Sequence, residues 1–166
     1  WLEHAELVTG AEKGESLMRA AAVAYQAGWP SRAEPLYENA LALQRAAGNR
    51  WGAGVTLGYM ATLYQVTGRI ELAERTYAEA LAEHRAAGDR HSEGALLGNL
   101  GTLYKNTGRV ELAEKQFEQS LAILRELGNR KTQGIMLENL AGLLGRTGRA
   151  DRAMQYCEEA LAIARE

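Results

Sequence analysis

The feature that most constrains this chain is a spacing of 40 residues. Gly14, Gly54, Gly94 and Gly134 keep that step, and so do Gly28, Gly68, Gly108 and Gly148. Ala33, Ala73, Ala113 and Ala153 keep it as well, as do Leu41, Leu81, Leu121 and Leu161. Gly48, Gly88 and Gly128 close the first three units. A fixed period of this size means a small structural unit repeated along the chain, each copy burying its apolar side against its neighbours. The units read as 11–50, 51–90, 91–130 and 131–166, the last cut short in its second helix. Residues 1–10 stand apart, as the stub of an upstream unit or as a linker; Trp1-Leu2-Glu3-His4 aligns with Leu81-Ala82-Glu83-His84.

Each unit divides at its central glycine. In the third, Leu97, Leu100, Leu103 and Tyr104 precede Gly108, and Leu112, Ala113, Phe117, Leu121 and Leu124 follow it. Steps of three and four put each set on one helical stripe. Gly108 suits a left-handed helix end, where a side chain would clash. Asn49, Asp89 and Asn129 follow the closing glycines and suit the N-cap of the next helix. Pro30 falls in a first turn, where its missing N–H costs little. The spacing predicts helices near 12–27, 31–47, 51–66, 70–87, 91–106, 110–127, 131–146 and 150–165, and no strands.

These positions resemble the tetratricopeptide repeat (TPR), whose order is a large apolar residue, Leu-Gly, an aromatic, Gly, Ala, an aromatic and Ala. The third unit supplies Leu97, Leu100-Gly101, Tyr104, Gly108, Ala113, Phe117 and Ser120. The second supplies Leu57, Met60-Ala61, Tyr64, Gly68, Ala73, Tyr77 and Ala80. The fourth departs at Leu144 and Cys157, and the first most, with Trp29-Pro30 at its turn. The usual period is about 34; the longer unit, ending in Gly-(Asn/Asp)-Arg, is similar to repeats of kinesin light chains, of Partner of Inscuteable proteins and of bacterial signalling proteins. HEAT and armadillo repeats share the length but not this order. The resemblance implies an all-α fold, a right-handed α-α superhelix of four helix-turn-helix repeats.

Composition agrees with thin helical layers. Hydrophobic residues make up 46% of the chain but aromatics only 7%. A net charge of −2 gives no general attraction to nucleic acid or acidic membrane, and no apolar run is long enough to span a bilayer. The single cysteine, Cys157, makes no internal disulfide and is expected as a buried packing residue in a reducing cytoplasm. Trp29 is expected as a lid on the first turn. The opening without Met and the end in mid-pattern read as a piece of a longer protein. The ratio of Arg to Lys hints at a GC-rich bacterial genome.

Catalytic chemistry finds no foothold. His4, His84 and His91 lack metal-ligand spacing, and there is no Gly-x-Ser-x-Gly turn or Gly-x-x-x-x-Gly-Lys loop. Trp51 to Gly58 imitates a dinucleotide fingerprint, but a helix precedes it where a strand is required. Gly54 instead belongs to the register of Gly14, Gly94 and Gly134, where helices are expected to approach closely. No enzyme, cofactor or metal is expected.

The second helices are charged and read as the wet layer, with Glu71–Arg75 and Glu111–Lys115 at the i, i+4 spacing. The first helices read as the inner layer. The family resemblance implies that the residue before the Leu-Gly slot faces a groove: Arg19, Tyr59, Asn99 and Asn139 here. Asn suits a peptide because its amide both donates and accepts. Thr62, Gln65, Thr102, Lys105, Asn106, Glu138 and Arg146 lie further along, Tyr25 joins Tyr59, Lys105 and Arg146 as a source of specificity, and Gly58, Gly98, Gly142 and Gly145 open room. The alternative is that Asn99 and Asn139 bond neighbouring helices. Arg50, Arg90 and Arg130 either pair with Glu and loop carbonyls or guide an acidic segment.

The expected function is a protein-interaction scaffold that binds a peptide segment in a concave groove. The alternative is a sensor segment of a bacterial signalling ATPase or transcription regulator. A third reading is end-to-end self-association through uncapped terminal helices.

Overall fold

A computed structural model describes residues 2–165, with side chains from Thr9 onward. The described residues form eight α-helices and no strand: α1 Leu2–Gln26, α2 Pro30–Ala46, α3 Arg50–Val66, α4 Ile70–Ala86, α5 Arg90–Asn106, α6 Val110–Glu126, α7 Arg130–Arg146 and α8 Ala150–Ala164. Helix boundaries agree with the spacing to within a residue or so, except at the start. There α1 begins at Leu2 rather than near residue 12. The reason is local. Where later units have Gly48-Asn49-Arg50, the first has Val8-Thr9-Gly10, so no left-handed glycine stands in place to turn the chain. Trp1 and the side chain of His4 lie outside what the structure describes.

Every described turn is made the same way. Gly28, Gly48, Gly68, Gly88, Gly108, Gly128 and Gly148 all have φ between 65° and 78°. That conformation strains any residue with a Cβ. It lets the next N–H fold back onto the helix it leaves: Arg69 N donates to Tyr64 O at 2.8 Å and Arg109 N to Tyr104 O at 2.9 Å. Asn49 and Asn129 cap α3 and α7, accepting from Gly52 N and Thr132 N. At the central turns, Thr67, Thr107 and Thr147 donate to carbonyls one turn back and accept from Nε of Arg69, Arg109 and Arg149.

The chain falls into two compact units, Trp1–Asp89 and Arg90–Glu166. In the first, α1 packs on α2 and α3, and α3 on α2 and α4; in the second, α5 pairs with α6, α6 with α7 and α7 with α8. The aromatic slots Tyr37, Tyr77 and Phe117 are buried, as are Leu57, Leu97, Leu137 and Leu140. Leu112 is the exception on its expected stripe, exposed beside buried Ala113.

Three of the four in-register glycines mark close approaches. A Cβ on Gly54 would lie 2.7 Å from His84 Nε2, on Gly94 3.1 Å from Ile123 and on Gly14 3.0 Å from Gln44. At Gly134 the nearest atom would be 3.9 Å away, in ordinary contact. Gly98 does not open room, because the Met136 sulfur would lie 3.0 Å from a Cβ there; Gly142 and Gly145 face open space.

Candidate peptide-binding face

In the second unit, four of the expected residues come together. Lys105, Glu138, Asn139 and Arg146 line one cavity of about 350 Å³, with Gly142 in its wall. Lys105 Nζ donates to Asn139 Oδ1 at 2.6 Å, bridging α5 and α7, and lies 5.9 Å from the centre of the Phe117 ring. The Asn139 amide donates to Ile135 O, one turn back. Asn139 therefore already bonds its neighbour, while Asn99 is exposed and makes no hydrogen bond among the described residues. Thr102 donates to Gly98 O, the ordinary back-bond of a helical threonine. Asn106 is exposed at the end of α5.

The first unit differs in character. Arg19 is exposed and pairs with Glu15 on its own helix. Thr62 Oγ1 lies 3.1 Å from the Tyr77 hydroxyl, which donates to Gln65 Oε1 at 3.1 Å. Thr62 and Gln65 thus satisfy a buried phenol from the slot behind them. Tyr59 lies over Tyr37 in a near-parallel stack, ring centres 6.0 Å apart. Burial, and after it the phenols of Tyr59 and Tyr25, pushes Tyr37 up to about 12. The slot pattern places Tyr37 in the core but gives no warning that its ring stacks on Tyr59.

The charged faces are organised between repeats. Neither Glu71–Arg75 nor Glu111–Lys115 forms a pair. Instead Arg45 meets Glu79, Arg69 meets Glu34, Arg125 meets Glu159, and Arg149 and Arg152 both meet Glu114. Stacked repeats bring a carboxylate one unit away closer than the next turn does. The Arg69 guanidinium holds the Glu34 carboxyl below its usual range, and lies 4.4 Å from the centre of the Tyr64 ring. Arg90 reaches both Glu93 and Glu126 and Arg130 reaches Gln133, whereas Arg50 makes no pair and lines a second cavity with Arg45 and Asn49.

Three further positions depart from expectation or extend it. Cys157 is exposed, not buried. Its slot on α8 faces outward, where Met154 and Leu161 are also more than half exposed. Trp29 is 53% exposed, caps α2 through its backbone and stacks with Arg32 rather than closing the turn. Asp89 Oδ2 joins Trp51 Nε1 at 3.0 Å and His84 Nδ1 at 3.1 Å, a cluster that gives buried His84 a structural partner.

Two models of the tetratricopeptide repeat match, over residues 52–126 and 136–166. The chain belongs to the tetratricopeptide repeat family, and its fold is the all-α tetratricopeptide solenoid. Among solved structures it is similar to BtubC (BKLC) from P. vanneervenii, at 21% identity and a TM-score of 0.84, over 91% of this chain and 63% of that one. It thus spans less than two thirds of that relative. It is also similar to nearly identical TPR-like repeats from a Podosopora anserina protein described as a kinesin light chain. That match has 20% identity and a TM-score of 0.72, over 91% of this chain and 74% of that one. A third is a Signal Transduction ATPase with Numerous Domains from Pyrococcus horikoshii that carries a tetratricopeptide repeat sensor. It matches at 17% identity and a TM-score of 0.84, over 93% of this chain and 24% of that one. No curated protein sequence matches. Tetratricopeptide repeats in general mediate protein–protein interaction, and the fold is in general a non-catalytic scaffold.

Proposed function

We propose that the chain is a protein-interaction scaffold whose first helices hold a peptide segment of a partner. The observation that carries this is the set of polar groups converging on the cavity between α5 and α7: Lys105, Glu138, Asn139 and Arg146. Lys105 and Asn139 are locked to each other, so they meet a ligand already oriented. Asn99 keeps both its donor and its acceptor for a backbone amide. The test is selection of peptides from a displayed library, followed by titration against variants. Asn99→Ala is expected to weaken a selected peptide by about 1 kcal/mol, the usual net value of a hydrogen bond. The exposed, unpaired Glu71 and Glu111, changed to Ala, are expected to leave it unaltered. Loss of affinity in the Glu pair alone moves the working surface to the second helices.

A sensor role in a larger signalling ATPase or transcription regulator is the second reading, supported by the sensor repeats of the Pyrococcus horikoshii relative. It requires that peptide binding change the scattering profile of the chain; an unaltered profile leaves the scaffold reading alone. End-to-end association through α8 rests on the exposure of Met154 and Leu161. It predicts a dimer by sedimentation that Leu161→Glu abolishes.

A further inference from the structure

Tyr37 and Tyr77 occupy the same slot one period apart, yet their hydroxyls have opposite fates. The Tyr77 hydroxyl meets Thr62 and Gln65 of α3. Forty residues earlier, α1 carries Ala22 and Tyr25 at those two positions. Alanine offers no partner. The Tyr37 hydroxyl is buried and makes no hydrogen bond, on a residue that is 0% exposed. Burying such a group unpaired is unfavourable, and an unpaired group of this kind in a folded chain calls for an explanation.

Its surroundings indicate what would satisfy it. Burial first, and then the phenols of Tyr59 and Tyr25, raise the Tyr37 hydroxyl above its ordinary value. Tyr59 presents a ring parallel to Tyr37 within 9° and is 46% exposed. Tyr25 is half-buried on the adjoining helix α1. The Tyr37 phenol is thus a buried donor without an acceptor, framed by aromatic faces.

We propose that Tyr25, Tyr37 and Tyr59 form an aromatic subsite for a proline-rich segment of a partner in the polyproline II conformation. The proposal rests on the reading of the first helices as a peptide-binding face. A proline-rich segment brings backbone carbonyls and no N–H of its own, so it asks for donors only. Its rings lie flat on aromatic side chains, and its conformation is formed before binding. Tyr59, with nearly half its surface in solvent, supplies the ring on which a proline lies, and a shift of that ring along Tyr37 admits a carbonyl to the buried hydroxyl.

The experiment is calorimetric titration of the whole chain with a decaproline peptide, beside a Gly-Ser decapeptide. Decaproline is expected to bind and the Gly-Ser peptide not to. Tyr59→Ala is expected to abolish binding. Tyr37→Phe is expected to weaken it about three- to tenfold, as loss of one hydrogen bond does, with a melting temperature no lower than the parent. No binding of decaproline overturns the proposal. So does Tyr37→Phe that melts higher and binds equally well, since the hydroxyl is then a packing defect. If library-selected peptides lose affinity in Asn99→Ala but not in Tyr59→Ala, the peptide-binding face stands and only the aromatic subsite falls.

Discussion

At the residue scale, one position in the repeat carries two different demands. Gly54 and Gly134 are equivalent in sequence, but His84 crowds the first and nothing crowds the second. Gly54→Ala is expected to destabilise the chain by about 1–3 kcal/mol, because the buried ring has to shift. Gly134→Ala is expected to stabilise it by up to about 1 kcal/mol, the helix-interior difference between the two residues. Denaturant unfolding checks both, and equal effects would mean that the glycines serve only the helix backbone. Glu34 gives a pH dependence. Its folded pKa is depressed, first by the hydrogen bonds from Arg69. It therefore adds stability above the ordinary glutamate pKa, and that stability is lost as pH falls through the depressed value. The pair is partly exposed, so the contribution is under about 1 kcal/mol. The melting-temperature gap between parent and Glu34→Gln is expected near neutrality and is expected to narrow as pH falls below the ordinary glutamate range; a gap that stays unchanged into strong acid refutes the assignment.

At the element scale, the second helices differ in what faces them. α6 carries buried Phe117, Leu121, Ile123 and Leu124, and α7 packs on it. On α8 only Ala153 and Ala160 are buried. Helices of low burial open more readily. The amides of α8 are expected to exchange hydrogen faster than those of α6, and equal protection would refute this. Cys157 reports the same thing chemically. Exposed on α8, it is expected to react with a thiol reagent in the folded chain as fast as in denaturant-unfolded chain at the same pH. Slow modification would place it under cover, as its aromatic slot predicts from sequence.

At the scale of the whole molecule, ion pairs join neighbouring repeats within each of the two units, and most members remain substantially exposed. Such pairs are screened by salt and worth little singly. Raising salt from about 0.1 M to 1 M is expected to move the melting temperature by only a few degrees; a collapse of stability would assign the ladder a larger share than burial. The period, the helices and the turns were legible in the sequence because their causes are local. A glycine able to take positive φ, a following asparagine cap and apolar steps of three and four act within a turn or two of chain. The tetratricopeptide order adds the aromatic and small slots, and the aromatic slot is buried at Tyr37, Tyr77 and Phe117 but not at Cys157. Partnership was not legible, because it depends on which helix lies across the gap. Asn139 and Asn99 read alike in the repeat, yet α5 delivers Lys105 to Asn139, while the Asn99 side chain makes no hydrogen bond among the described residues. Tyr37 and Tyr77 read alike, yet only Tyr77 faces Thr62 and Gln65. Sequence by itself determined where the chain turns from Gly28 onward and, apart from Leu112 and α8, which stripes are buried; tertiary structure alone decided which polar groups are already satisfied, because that is a matter of atoms brought within three ångströms by stacking.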